Sequence, residues 1–69
     1  MLSKDIRPGN IYLQQLPRTY TKVRVRVIRA LGRGWWECEQ LETVKSKLGV
    51  ETREGNTVIV YSSGLVGEG

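Results

Sequence analysis

The chain has no histidine and no phenylalanine, one cysteine and two prolines among its 69 residues. Each shortage removes a class of explanation. Cys38 alone cannot close an internal disulfide, and without histidine it cannot assemble the roughly four nitrogen or sulfur ligands of a structural zinc. No metal and no cofactor is therefore expected. A domain of this length buries only about 60% of the surface of its unfolded chain. Stability must come from an aliphatic and tryptophan core, with self-association as a further source. A single thiol suits a reducing compartment. The longest apolar runs, such as Val58-Ile59-Val60-Tyr61, are far shorter than the roughly 20 residues of a membrane-spanning helix. Met1-Leu2-Ser3-Lys4-Asp5 lacks the apolar region of a secretory signal. A cytoplasmic location with no membrane contact is expected, and the small frame opening at Met1 is expected to be complete and of prokaryotic or phage type.

The same shortages argue against catalysis. Histidine, the usual general base, is missing. Ser3, Ser62 and Ser63 have no base to activate them. The carboxylates fall singly, without a neighbour that would drive two pKa values apart. The glycines are scattered through turns and never form a phosphate-cradling loop with its lysine. The expected role is binding.

What is present is charge, unevenly placed. Residues 1–36 carry Lys4, Arg7, Arg18, Lys22, Arg24, Arg26, Arg29 and Arg33 against Asp5 alone, a balance of +7. Residues 37–69 carry three basic groups against six glutamates, −3. Such asymmetry fits either an anionic ligand for the first half or internal pairing between the halves.

Arg7-Pro8-Gly9-Asn10 has turn chemistry, and Ile11-Tyr12-Leu13 follows as a short strand. Residues 14–21 form a polar excursion in which Pro17 excludes a central strand. Lys22-Val23-Arg24-Val25-Arg26-Val27 alternates strictly, valines to one face and cations to the other. The pattern breaks at Ile28-Arg29-Ala30-Leu31, where a bulge would shift the register. Gly32-Arg33-Gly34 then turns into Trp35-Trp36-Glu37-Cys38-Glu39-Gln40-Leu41, a hairpin. Centring the turn on Gly32-Arg33 pairs Val27 with Cys38 and Arg26 with Glu39, and sets Arg24 near Glu39 and Leu41. Residues 42–49 read as either strand or loop. Val50-Glu51-Thr52 and Thr57-Val58-Ile59-Val60-Tyr61 flank Arg53-Glu54-Gly55-Asn56 as a second hairpin.

The order of these segments resembles the SH3-like small barrels, such as Tudor and KOW modules and retroviral integrase C-terminal domains. The resemblance rests on a Pro-Gly turn, a short first strand, a polar loop, a long valine-rich second strand and a Trp-led third. A Val-Ile-Val strand ending in Ser-Ser-Gly-Leu completes it. It implies an all-β fold, a small five-stranded SH3-like barrel over residues 7–66. Residues 1–6 are expected to be flexible and 67–69 frayed.

Two binding surfaces follow. In the first, Lys22, Arg24 and Arg26 project from one face, joined by Arg18, Arg29 and Arg33, and contact nucleic acid, DNA or RNA, with Trp35 stacking on a base and Tyr12, Tyr20 and Tyr61 as further platform candidates. Alternate strand residues are about 6.5–7 Å apart, close to the phosphate repeat of a nucleic-acid strand. The plainer account is that glutamates across the strand answer the arginines, while Trp35 packs under the 18–21 loop or on an arginine stem. In the second, a peptide or partner subunit docks through Trp35, Tyr12, Tyr20 and the 14–21 loop. Trp36 and Cys38 share the inward face, and Cys38 is expected to be a small buried hydrophobe. Val58 and Val60 face inward with Ile59 and Tyr61 opposite. If both faces are covered, a homodimer would account for it.

Overall fold

A computed structural model describes residues 1–16, 21–45 and 51–69. The main body is a five-stranded antiparallel sheet built from β1 (Ile11–Gln15), β2 (Lys22–Gly32), β3 (Trp35–Gln40), β6 (Thr57–Tyr61) and β7 (Leu65–Glu68), in the spatial order β6-β3-β2-β1-β7. A separate two-stranded ladder, β4 (Val44–Lys45) with β5 (Glu51–Thr52), lies in the connection between β3 and β6. Short 3-10 turns occupy Ser3–Asp5 and Ser62–Gly64, the second joining β6 to β7. The protein is all-β, and among the described residues none forms an α-helix or a helix able to cross a membrane. The sheet is open, with β6 and β7 at its edges, where the sequence led to the expectation of a closed barrel.

The alternation of Lys22–Val27 produces the inner and outer faces it predicts. Val23, Val25 and Val27 are buried and Lys22, Arg24 and Arg26 exposed. Val27 lies opposite Cys38 and Arg26 opposite Glu39, the expected pairing, although the turn lies at Arg33-Gly34, one residue later than the Gly32-Arg33 expected. Two register shifts follow: Val27 and Arg29 face consecutive residues of β3, leaving Ile28 as an extra residue, and Leu31 is a second. The bulge at Ile28 keeps Arg29 on the outer face, opposite Glu37, where strict alternation would have turned it inward. It aligns Ala30 with Trp36 on the inner side, yet Ile28 through Gly32 all stay exposed, because this end of the hairpin extends past the core. At the tip, Arg33 (φ 54°) and Gly34 (φ 86°) both have positive φ, as the tight hairpin turns that match strand twist require. A Cβ on Gly34 would sit 3.0 Å from the Tyr61 ring, which would have to shift to admit it.

The core gathers Ile6, Tyr12, Val25, Val27, Trp36, Cys38, Val60 and Leu65, with Met1 and Val58 packed against it. Two of its members come from unexpected places. Ile6, in the segment expected to be flexible, is buried. Tyr12, expected on a docking surface, is 3% exposed; its hydroxyl accepts the Arg7 N–H at 2.8 Å and ties the first turn to β1. The Met1 ammonium donates to the carbonyls of Ser62 and Leu65. Gly67 and Glu68, expected to fray, belong to β7 opposite Leu13 and Tyr12.

Cys38 is fully buried, and burial first, then the Glu37 charge, pushes its thiol up to about 11. Thiolate is the reactive form, so at pH 8 only about one molecule in a thousand would present it, behind a closed core. Native protein should therefore not react with an aromatic disulfide reagent over hours, while urea-unfolded protein reacts within minutes. Rapid labelling of the folded form would contradict the packing.

Candidate binding face

The outer face of the sheet is striped, one chemistry per strand. On β1, Ile11, Leu13 and Gln15 lie opposite Arg26, Arg24 and Lys22 of β2. β2 adds Arg29. β3 presents Trp35, Glu37 and Glu39, and β6 presents Thr57, Ile59 and Tyr61. Aliphatic, cationic, acidic and apolar bands thus run side by side, because period-two alternation in each strand places every second side chain on this surface.

The cationic band is answered by acid. Arg24 Nε lies 3.0 Å from Glu42 Oε1, Arg26 Nη1 3.5 Å from Glu39 Oε1, and Arg29 Nη2 3.2 Å from Glu37 Oε1. Of the expected contacts, Lys22 and Arg33 make no salt bridge among the described residues, and Arg18 lies outside those residues, as does Tyr20. The arginines stay about half exposed or more, so solvent screens the pairs and they add little to the stability of the fold. Their effect on the surface is larger: three positive charges are locally neutralised, and the continuous positive stripe expected along β2 becomes a mixed face.

Glu42 was not singled out from the sequence, since it follows the last residue of β3. Its carboxylate accepts both the backbone N–H and the Nε–H of Arg24, each at 3.0 Å. The Arg24 backbone hydrogen bond, then its side-chain hydrogen bond, hold the Glu42 carboxyl below its ordinary value of 4.5. A depressed carboxyl pKa adds stability above the unfolded-state value and loses it as pH falls through the folded-state value. Glu42→Gln should therefore lower stability modestly above about pH 4.5, where the wild-type carboxylate contributes, and leave it unchanged at lower pH, so that the acid limb becomes shallower. An unaltered acid limb would show that the interaction is not populated in solution.

The apolar band is more distinctive. Trp35 lies opposite Tyr61, their rings edge-to-face with centroids 5.1 Å apart. Both remain about half exposed, at 46% and 45%, and Ile59 beside them is 52% exposed. Trp35 thus packs on Tyr61; the 18–21 loop, an expected neighbour, lies largely outside the described residues. Of the three candidate tyrosines, Tyr61 stands on this face, Tyr12 is in the core and Tyr20 lies outside the described residues. The signal for this lies in the register: once Cys38 faces Val58, Trp35 must face Tyr61. Among the described residues no group of three or more metal-ligating side chains is gathered.

The chain matches no known protein-family model, and no curated protein and no solved structure shows detectable similarity to it.

Proposed function

We propose that this is a non-catalytic, SH3-like binding module that docks a polypeptide partner along the apolar side of its outer face, with Trp35, Ile59 and Tyr61 as the contacts. The order β6-β3-β2-β1-β7, with a 3-10 turn between β6 and β7, supports the SH3-like description. The observation that carries the functional reading is the exposed Trp35–Tyr61 pair with Ile59 on a strand free of charge. Tryptophan and tyrosine supply most of the energy of protein interfaces when a partner covers them. The arginine band, already paired with Glu37, Glu39 and Glu42, would serve as the polar rim of such an interface. The missing histidine and the buried thiol support a role without chemistry, in a reducing cytoplasm.

Selection of a displayed random twelve-residue peptide library on the folded domain tests this. Enriched peptides should bind wild type and lose affinity on Trp35→Ala. No enrichment, or enriched peptides indifferent to Trp35, would refute it.

A second reading, nucleic-acid binding, draws on Lys22 and Arg33, which lack acidic partners among the described residues, on the net charge of +4, and on the open ring of Trp35. Tryptophan fluorescence titrated with single- and double-stranded DNA and RNA at two salt concentrations decides it. Saturable quenching that weakens with salt would support it, and no quenching at low salt would exclude it.

A further inference from the structure

We infer that β6 is a self-pairing edge: two copies of the chain join β6 to β6 antiparallel about a two-fold axis through Ile59. This rests on the polypeptide-docking reading above and names its occupant.

The backbone supplies the first argument. The Ser62 N–H donates to the Gly34 carbonyl and the Gln40 N–H to the Asn56 carbonyl, both at 2.8 Å. Antiparallel ladders alternate between residues that bond the neighbour and residues that turn away from it. Val58 and Val60 therefore direct their amides and carbonyls to β3. Thr57, Ile59 and Tyr61 direct theirs to the open edge, where no strand pairs with them among the described residues. The same three residues carry the outer-face side chains, Ile59 and Tyr61 half exposed.

Lack of edge protection is the second. Edge strands are normally blunted by charge, proline or a bulge. The opposite edge, β7, carries Glu68 and a register shift against β1. β6 reads Thr-Val-Ile-Val-Tyr, with no charge and no proline, and its ladder to β3 runs through five residue pairs without a shift.

Self-complementarity chooses the occupant. Pairing about Ile59 sets Ile59 against Ile59 of the second copy and Thr57 against Tyr61 of the second copy. No like charges meet within the strand. At each end of the seam the 53–56 turn of one copy, with no net charge, lies on the side of the other copy's Arg33 hairpin tip, because Gly34 bonds Ser62 at the end of β6. The result is one continuous sheet across both copies, with the Trp35–Tyr61 pairs flanking the seam.

Sedimentation velocity on the intact chain from micromolar to millimolar concentration tests the inference. The mass should rise from 7.8 kDa toward twice that value. Ile59→Lys, which sets like charges on the axis, should raise the dissociation constant at least tenfold. Amide hydrogen exchange gives a readout without any substitution: Thr57, Ile59 and Tyr61 should become protected as concentration rises, while Val58 and Val60 are protected throughout. A monomer at millimolar concentration, or concentration-independent exchange at the odd positions, would overturn self-pairing. If selected peptides still bind through Trp35 in that case, the docking reading survives and its occupant is another chain. If they do not, both fall.

Discussion

Replacing Trp36 with alanine is expected to leave the chain largely unfolded at room temperature. Trp36 is the largest member of the core, 7% exposed, between Val25, Val27 and Cys38 of the same sheet face and Val60 opposite it on β6. Truncating a buried tryptophan costs about 3–5 kcal/mol through lost transfer energy and the cavity left behind. Small domains hold only about 0.05–0.15 kcal/mol per residue in reserve. For this chain the loss is of the same order as the whole margin, and no disulfide or zinc is available to limit the damage. Urea titration followed by circular dichroism, with Cys38 labelling as a second probe, measures it. A midpoint shifted by less than about 0.5 M would mean that Trp36 is peripheral and the packing of β3 on β6 is misassigned.

The neighbouring substitution should do the reverse. Trp35→Ala removes a ring that touches Tyr61 and is otherwise open on the outer face. Its edge-to-face contact stabilises the fold by about 0.5–1.5 kcal/mol, so the variant should fold with a modestly lower melting temperature. Its binding loss should be far larger. Aromatic anchors at the centre of an interface contribute about 2 kcal/mol or more, which is roughly a thirtyfold loss of affinity for peptides selected on wild type. Isothermal titration with one such peptide, alongside a thermal melt, separates the two effects. Unchanged affinity would remove Trp35 from the site, and an unfolded variant would make it a structural residue. Two adjacent tryptophans are thereby assigned opposite duties, because successive strand residues point to opposite faces.

Much of this division was legible from the residues alone. Parity along Trp35–Gln40 groups Trp36 with Cys38, and the alternation of Lys22–Val27 identifies the matching buried valines. The pairing of Val27 with Cys38 was reached from the sequence through a turn at Gly32-Arg33, whereas the turn lies at Arg33-Gly34 and the bulges at Leu31 and Ile28 restore the same register. The acidic partner Glu39 was visible from that register; Glu37 was not, because only the bulge at Ile28 brings Arg29 opposite it. Glu42 was not, since the backbone leaves β3 at Gln40 and returns a carboxylate to Arg24 through a bend.

The sequence by itself determined that the protein is all-β, that the valines of β2 face in and its cations out, and that Cys38 is interior. These are local facts, set by period-two patterning and turn chemistry within about twenty residues. Only the tertiary structure decided which strands became edges, that Ile6 and Tyr12 joined the core, that residues 67 and 68 pair with β1, and that Tyr61 rather than Tyr12 stands beside Trp35. Those outcomes depend on contacts between residues far apart in the chain, such as Tyr12 with Glu68. Their energies arise only when distant segments meet around a shared core, so no local pattern encodes them.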